Sequence, residues 1–440
     1  MKTFVNTIAA GARPSIVAFV DALGDAIPAM HRLEATPQDP GWHAEGNVLV
    51  HTGMVLDALY ELLDTRAKSI VGSRRTALVL AAALHDVAKP LTTRTMEIRG
   101  VQRIAAPRHE MRGRSLLALQ MIEQGLEHSL VECVVDLVGH HVRPKFLVVK
   151  GRERDAYLRL AQLADPELLY WLELADMMGR TCDDQAEQIE HIEMFGLFAR
   201  EHGAWAPFGD DAAAWRTMYR ASIDGSAALR DLCYRQFVRD VCDGVVTQPE
   251  EGIARSYRFR DGFPELVITV GPSGAGKSTW VRQHLPDHVR ISLDDIRAEL
   301  GGRSDGSDNA KVRSIARERL RDGLRRKQKI VWDATTVRRD FRDVLTKLAF
   351  DYGGLVTLVC FPRAPATYHR RNRERDVPVP AAVLDRQIET LQWPGRLEGH
   401  RLLSIDAQGR AVAYYGGLDD ALPYDVEPAP TLLREWGVAR

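Results

Sequence analysis

The sequence predicts two fold classes in one chain: an all-α domain, then an α/β domain built on a parallel sheet. Three observations carry this. Up to about residue 200 apolar residues recur at three- and four-residue spacing, and no alternating strand interrupts them. Beyond Phe263, short apolar runs alternate with amphipathic stretches, which is the grammar of βαβ units. The first of those runs, LVITV, leads directly into GPSGAGKST at residues 271–279, a glycine-rich loop between a strand and a helix.

The helical part reads in order as MVLDALYELLD, TALVLAAALHDVAK, HEMRGRSLLALQMIEQG, VECVVDLVGHH and PELLYWLELADMMGR, each with one apolar stripe. Residues 201–260 are polar and partly helical, with turn signals at FGD, IDG and CDGVVTQPEEG, and read as a connector. From 261 to 440, LVITV, VRISL, KIVWDA and LVTLVCF read as strands, each followed by a helical pattern. RLLSIDAQGRAVAYYGG reads as a C-terminal hairpin extension turned at AQG. The domains are therefore drawn at 1–200, 201–260 and 261–440.

Composition narrows the class without naming a partner. The chain has 440 residues, 45% hydrophobic and 27% charged, which suits ordinary globular domains. Its 59 Lys plus Arg against 60 Asp plus Glu leave a net charge of -1, so any nucleic-acid contact rests on a local basic patch. Five cysteines without a C-x-x-C spacing argue against a disulfide framework and a thiolate zinc site. Neither a secretory leader nor a run of 18 apolar residues is present, so a cytoplasmic protein without a membrane partner is expected.

The loop matches G-x-x-x-x-G-K-[ST] in the context that motif requires. Gly271, Pro272, Ser273, Gly274, Ala275, Gly276, Lys277, Ser278 and Thr279 supply backbone N–H groups and a helix start for the phosphates of ATP or another nucleoside triphosphate. Lys277 offers a point charge to the β and γ groups, and Ser278 a hydroxyl to Mg²⁺. In VRISLDDIRAEL, Asp294 follows a strand and Arg297 lies three residues on, about on the same helical face. Asp294 suits a general base for an acceptor hydroxyl and Arg297 a clamp for an acceptor phosphate, although Asp is favoured in any first helical turn. KIVWDA ends in Asp333, a second acidic residue for Mg²⁺ or the acceptor. In YHRRNRERDVPVP, Arg371 and Arg375 are four apart, so a helix would put them on one face as a lid over transferring phosphates.

Asp-Asp-x-x-Arg after the second strand, Asp at the end of the third, and Arg-Asn-x-x-Arg before a proline hinge resemble the phage-type polynucleotide 5′-kinases over residues 266–394. The resemblance implies Lys277 and Ser278 as phosphate and metal residues and Asp294 as base. It further implies Arg297 as the contact to the acceptor's 3′-phosphate, Asp333 as an acceptor-site residue, and Arg371 and Arg375 as lid residues. Ala334 stands where that family has a hydroxyl.

Ten of the fourteen histidines lie before residue 203. His85 and Asp86 are adjacent in LHDVAKP; His51, His109, the pair His140 and His141, and Asp176 sit near helix ends or on apolar stretches. A carboxylate such as Asp176 within LYWLELADMM costs several kcal/mol unless it is paired or metal-bound. Imidazoles and carboxylates without thiolates suit two transition-metal ions, Mn, Ni, Co, Fe or Zn, and Asp86 is placed to bridge them.

The order His, His-Asp, His, His, Asp is similar to the HD phosphohydrolase superfamily. The resemblance implies His51, His85, Asp86, His109, His141 and Asp176 as metal ligands, with His141 preferred over His140, and Lys89 and Arg94 as cationic contacts to substrate phosphate. The opening WHAEGNVLVHT is also similar to the HD domain of certain tRNA nucleotidyltransferases, which acts on 2′,3′-cyclic phosphates. Together the halves resemble the bacterial HD-domain polynucleotide kinases, end-healing enzymes whose products a downstream RNA ligase can join. RNA or DNA ends are the implied substrates. Two other readings remain: a nucleoside kinase fused to an HD nucleotidase, and a nucleotide-sensing module in which ATP gates the HD site. The basic stretch DNAKVRSIARERLRDGLRRKQK is the discriminating feature, since phosphate tracking makes binding salt-dependent.

Overall fold

The computed structural model describes residues 1–301, 309–419 and 421–435. Of the basic stretch that begins at residue 308, that first residue lies outside the described ones. The chain forms two compact units, Met1–Ala212 and Ala213–Arg440. No described helix is long and apolar enough to cross a membrane.

The first unit is a helical bundle. Its central helix, Gly72–Leu84, is buried at every position from Thr76 onward, because TALVLAAAL has no polar face to show to water. Helices Val48–Thr65, His128–His140 and Pro166–Met178 pack around it. Two of these start at side-chain caps: Asn47 accepts from Val50 N–H, and Asp165 from Leu168 N–H. One expectation is corrected. Residues 94–105 are an antiparallel hairpin of β1 (Arg94–Ile98) and β2 (Val101–Ala105), turned at Arg99 and Gly100, both at positive φ. A two-residue turn of this kind matches strand twist, and it outweighs the weak alternation of RTMEI and VQRIA.

The second unit is a six-stranded sheet in the order β4-β5-β3-β6-β7-β8. β3 (Glu265–Val270), β4 (Val289–Ser292), β5 (Lys329–Asp333), β6 (Leu355–Cys360) and β7 (Arg401–Ile405) run parallel; β8 (Ala411–Tyr415) returns antiparallel to β7. β3 and β6 are buried almost throughout, as strands covered on both faces must be. The chain steps from β3 to one side and then to the other, and the glycine-rich loop leaves β3 at that switch point.

Two stretches read as accessories are built into this unit. β7 is the fifth parallel strand, so only β8 is an appendage. Helix Ala227–Cys242, within the expected connector, packs on that edge: Asp231 accepts from Arg401 Nε (2.8 Å), from the Tyr414 hydroxyl (3.2 Å) and from Leu418 N–H (2.7 Å). Asp231 and Arg401 are both buried, and losing either partner would leave a buried charge uncompensated.

Candidate active sites

In the first unit, five helix termini converge. His51 lies in the first turn of Val48–Thr65, and His85 and Asp86 follow the end of the central helix. His109 opens helix His109–Gln120, His141 closes helix His128–His140, and Asp176 is in the last turn of Pro166–Met178. These six side chains form two sets of potential metal donors: His51, His85 and Asp176, and Asp86, His109 and His141. Asp86 faces both. Its Oδ2 is 3.2 Å from His85 Nε2 and 3.6 Å from His51 Nε2, while its Oδ1 is 3.2 Å from His109 Nε2. Asp176 Oδ1 lies 3.0 Å from His51 Nε2 and 4.0 Å from His85 Nε2.

The tautomers show why a cation fits. Nδ1 of His85, His109 and His141 each donates to the backbone carbonyl three residues earlier, Ala82, Ala106 and Val138, at 2.8 Å. A carbonyl only accepts, so Nδ1 carries a proton and Nε2 is the ring nitrogen turned to the cluster. His51 Nδ1 faces Glu45 Oε1 at 3.0 Å. His109 Nε2 and His141 Nε2 meet at 3.4 Å. His51 Nε2, His85 Nε2 and both Asp86 oxygens are buried without an aligned hydrogen-bond partner. A buried convergence of imidazole nitrogens and carboxylate oxygens suits divalent cations.

Electrostatics separate the rings: burial would lower His85, yet Asp86 and Asp176 raise it, so a cation bound there would displace a proton. Burial pushes His141 down to about 3, so its ring is neutral and ready to ligate. Burial would raise Asp86, yet His85, Lys89 and His109 hold it well below the carboxylate range. Asp176 is held low in the same way by Arg180 and His51 against burial.

A cavity of about 230 Å³ opens over the cluster. Lys89 reaches into its wall, 2.6 Å from Asp86 Oδ2, and donates to Gln38 Oε1 at 2.6 Å. Arg94, expected with Lys89, instead lines an adjacent cavity. His140 belongs to neither donor set. Sequence reasoning passed over Gln38, Glu45, Arg180 and Trp42. Arg180 was detectable four residues after Asp176, with which it pairs at 3.1 Å. Trp42, 39% exposed, lines the cavity and lies against the Arg103 guanidinium, which Asp39 fixes at 2.8 Å. It is the first residue of WHAEGNVLVHT, but no spacing there singles out its role in the wall.

In the second unit, Gly274 and Gly276 have φ of 80° and 96°. A Cβ on Gly274 would sit 3.1 Å from Tyr368 O, so the loop's curl depends on glycine there. Lys277 Nζ donates to Gly271 O (2.9 Å) and Pro272 O (2.8 Å), and burial lowers its ammonium to about 8. Ser278 Oγ donates to Asp333 Oδ1 at 3.1 Å, joining the loop hydroxyl to the acid at the end of β5. That pair is where a P-loop protein holds Mg²⁺. Ser273 N–H donates to Gln387, and Thr279 is exposed on the following helix.

Asp294 lies in the first turn of helix Leu293–Glu299, which Ser292 caps. It is 87% exposed and pairs with Arg297 at 2.6 Å, so the two share a face. Arg290, which the sequence did not flag, binds Asp333 at 2.8 Å and Asp295 at 2.7 Å. Arg371 borders Gly276, its Nη1 3.5 Å from where a Cβ would sit. The helical pairing of Arg371 with Arg375 is corrected: helix Pro365–Arg373 ends first, and Arg375 stands in the bend beyond. Asn372 secures that bend by hydrogen-bonding both backbone groups of Val379.

Residues 48–166 match the family model of the HD domain, and residues 266–394 that of an AAA domain. The chain joins an HD domain to a P-loop, kinase-like domain. No curated protein matches it. The HD match ends before Asp176, so that sixth donor rests on the geometry above.

Proposed function

We propose that the protein is a bifunctional nucleic-acid end-healing enzyme: an ATP-dependent kinase of 5′-hydroxyl ends, and a metal-dependent hydrolase of 2′,3′-cyclic and 2′- or 3′-phosphate ends, preparing RNA breaks for a ligase. The observation that carries it is the Asp294–Arg297 pair beside a P-loop in a chain that also holds the six-residue His/Asp cluster. A nucleotide sensor needs no acceptor base, and a carboxylate next to a guanidinium suits an acceptor that carries both a hydroxyl and a phosphate.

In the kinase unit, Lys277 leaves the Gly271 and Pro272 carbonyls for the β- and γ-phosphates of ATP, and Ser278 with Asp333 would hold Mg²⁺. Arg297 turns to the acceptor's 3′-phosphate and frees Asp294 to take the proton of the 5′-hydroxyl as its oxygen bonds to the γ-phosphorus and ADP departs. Arg371 and Arg375 neutralise the moving charge.

In the HD unit, His51, His85 and Asp176 would hold one ion and Asp86, His109 and His141 a second. Ions of the Mn, Ni, Co, Fe or Zn type supply an activated water and offset phosphate charge. Lys89, held by Gln38, orients a phosphate oxygen. Trp42 at the cavity wall offers a stacking face to the terminal base.

The test compares ATP-dependent phosphorylation of a 5′-hydroxyl oligonucleotide with that of a free nucleoside. Preference for the oligonucleotide supports the proposal; phosphorylation of the nucleoside alone would replace it with a small-molecule kinase.

A further inference from the structure

The cavity over the cluster has a neighbour. Arg32 and Arg94 line a second cavity of about 350 Å³, and Pro37, Thr93 and Ile104 belong to the walls of both. No carboxylate lines the second cavity, whereas Asp39, Asp86, Glu173 and Asp176 line the first. Among the described residues neither Arg32 nor Arg94 is in an ion pair, while Arg103 and Arg180 of the same unit are paired with Asp39 and Asp176. Both guanidinium groups stand on ordered backbone. Arg32 donates to Pro90 O at 2.9 Å and its own carbonyl accepts from the Thr36 hydroxyl at 2.7 Å, while Arg94 begins β1 in register with Ala105. Two unpaired cations among threonine hydroxyls, with no acid in the wall, make a seat for a phosphate.

We infer that this second cavity is a subsite for the phosphodiester one nucleotide upstream of the phosphate held over the Asp86 cluster, so that the HD unit takes strand ends in preference to free nucleotides. The inference rests on reading the cluster as a phosphohydrolase site. A mononucleotide has one phosphate and fills the first cavity only. A strand carries its next phosphate past the shared wall, where the two arginines meet it without reading the base.

The test uses the full-length protein without ATP and measures phosphate released from three substrates: a ribonucleoside 3′-phosphate, a dinucleotide with the same 3′-phosphate, and that dinucleotide with a neutral methylphosphonate linkage. The dinucleotide should exceed the mononucleotide in kcat/KM by about tenfold or more. The methylphosphonate should fall back to the mononucleotide value, and this arm needs no variant, so it is immune to misfolding. Arg94→Gln and Arg32→Gln should reduce the dinucleotide value alone. Equal values for mono- and dinucleotide, or an advantage retained by the methylphosphonate, would overturn the subsite. Release from none of the three would remove the phosphohydrolase reading, and the subsite with it.

Discussion

Replacing Asp86 by Asn removes one charge from a side chain whose two oxygens face both donor sets, at nearly constant shape. The carboxylate is 2% exposed, and its oxygens lie 2.6 Å from Lys89 Nζ and 3.2 Å from each of His85 and His109. An amide cannot bridge two cations, and its NH₂ group would point a donor at imidazoles or at an ammonium. Removing one partner of a buried ion pair costs about 3–5 kcal/mol. At 1.36 kcal/mol per factor of ten, that is a loss of about 10²–10⁴ in hydrolase rate if it falls on the transition state. The assay is hydrolysis of a 2′,3′-cyclic nucleotide together with metal content of the purified protein, with kinase rate as the folding control because its P-loop lies in the other unit. Asp86→Asn should bind less metal, lose at least about a hundredfold in hydrolysis and keep its kinase rate. A variant with full metal content and more than a tenth of the hydrolase rate would refute the bridging role.

The kinase half yields a matching pair of outcomes. Asp294→Ala should abolish phosphorylation while sparing hydrolysis, and Arg297→Ala should reduce phosphorylation of a nucleoside 3′-phosphate by about tenfold or more with little effect on a nucleoside lacking that phosphate; end-group labelling decides both. Lys277 has its ammonium lowered to about 8 by burial, so above that pH the free protein has lost this proton, and a bound triphosphate restores it. Calorimetry at pH 8.5 in buffers of different ionisation enthalpy should therefore show proton uptake on ATP binding that vanishes near pH 6.5; equal signals at both would place the Lys277 proton elsewhere. Trp42→Ala should raise KM for a cyclic nucleotide about 5- to 150-fold, in line with about 1–3 kcal/mol per stacked base, and leave a base-free ribose phosphate unchanged. Equal loss on both would make Trp42 a wall and not a platform.

How far the sequence reached depended on how local each feature is. The P-loop was legible because its glycines, lysine and serine are contiguous and their geometry is fixed by one strand and one helix. The six donors were legible as a set because each lies at or near a helix end, where apolar periodicity breaks. Their pairing into two triads through the two oxygens of Asp86 was not, since it depends on how five helices cross. The hairpin at 94–105 was hidden by strands that are half exposed and carry charges, and its Arg99–Gly100 turn was the signal to weigh. β7 reads as an appendage because the β6 residues it pairs with, Thr357 with Arg401 for one, lie far earlier in the chain, and only the register shows it completing the sheet. Arg290 and Gln38 act through space, on Asp333 and Lys89, and no spacing announces such partners.

The central claim is that one chain repairs both ends of a break. The most direct measurement incubates the full-length protein with ATP, Mg²⁺ and Mn²⁺ on a short RNA bearing a 5′-hydroxyl and a 2′,3′-cyclic phosphate, and reads each end by mass. The account predicts a phosphate gained at the 5′ end and the cyclic phosphate lost at the other. RNA left unchanged at both ends, while free nucleosides or nucleotides are modified, would contradict it.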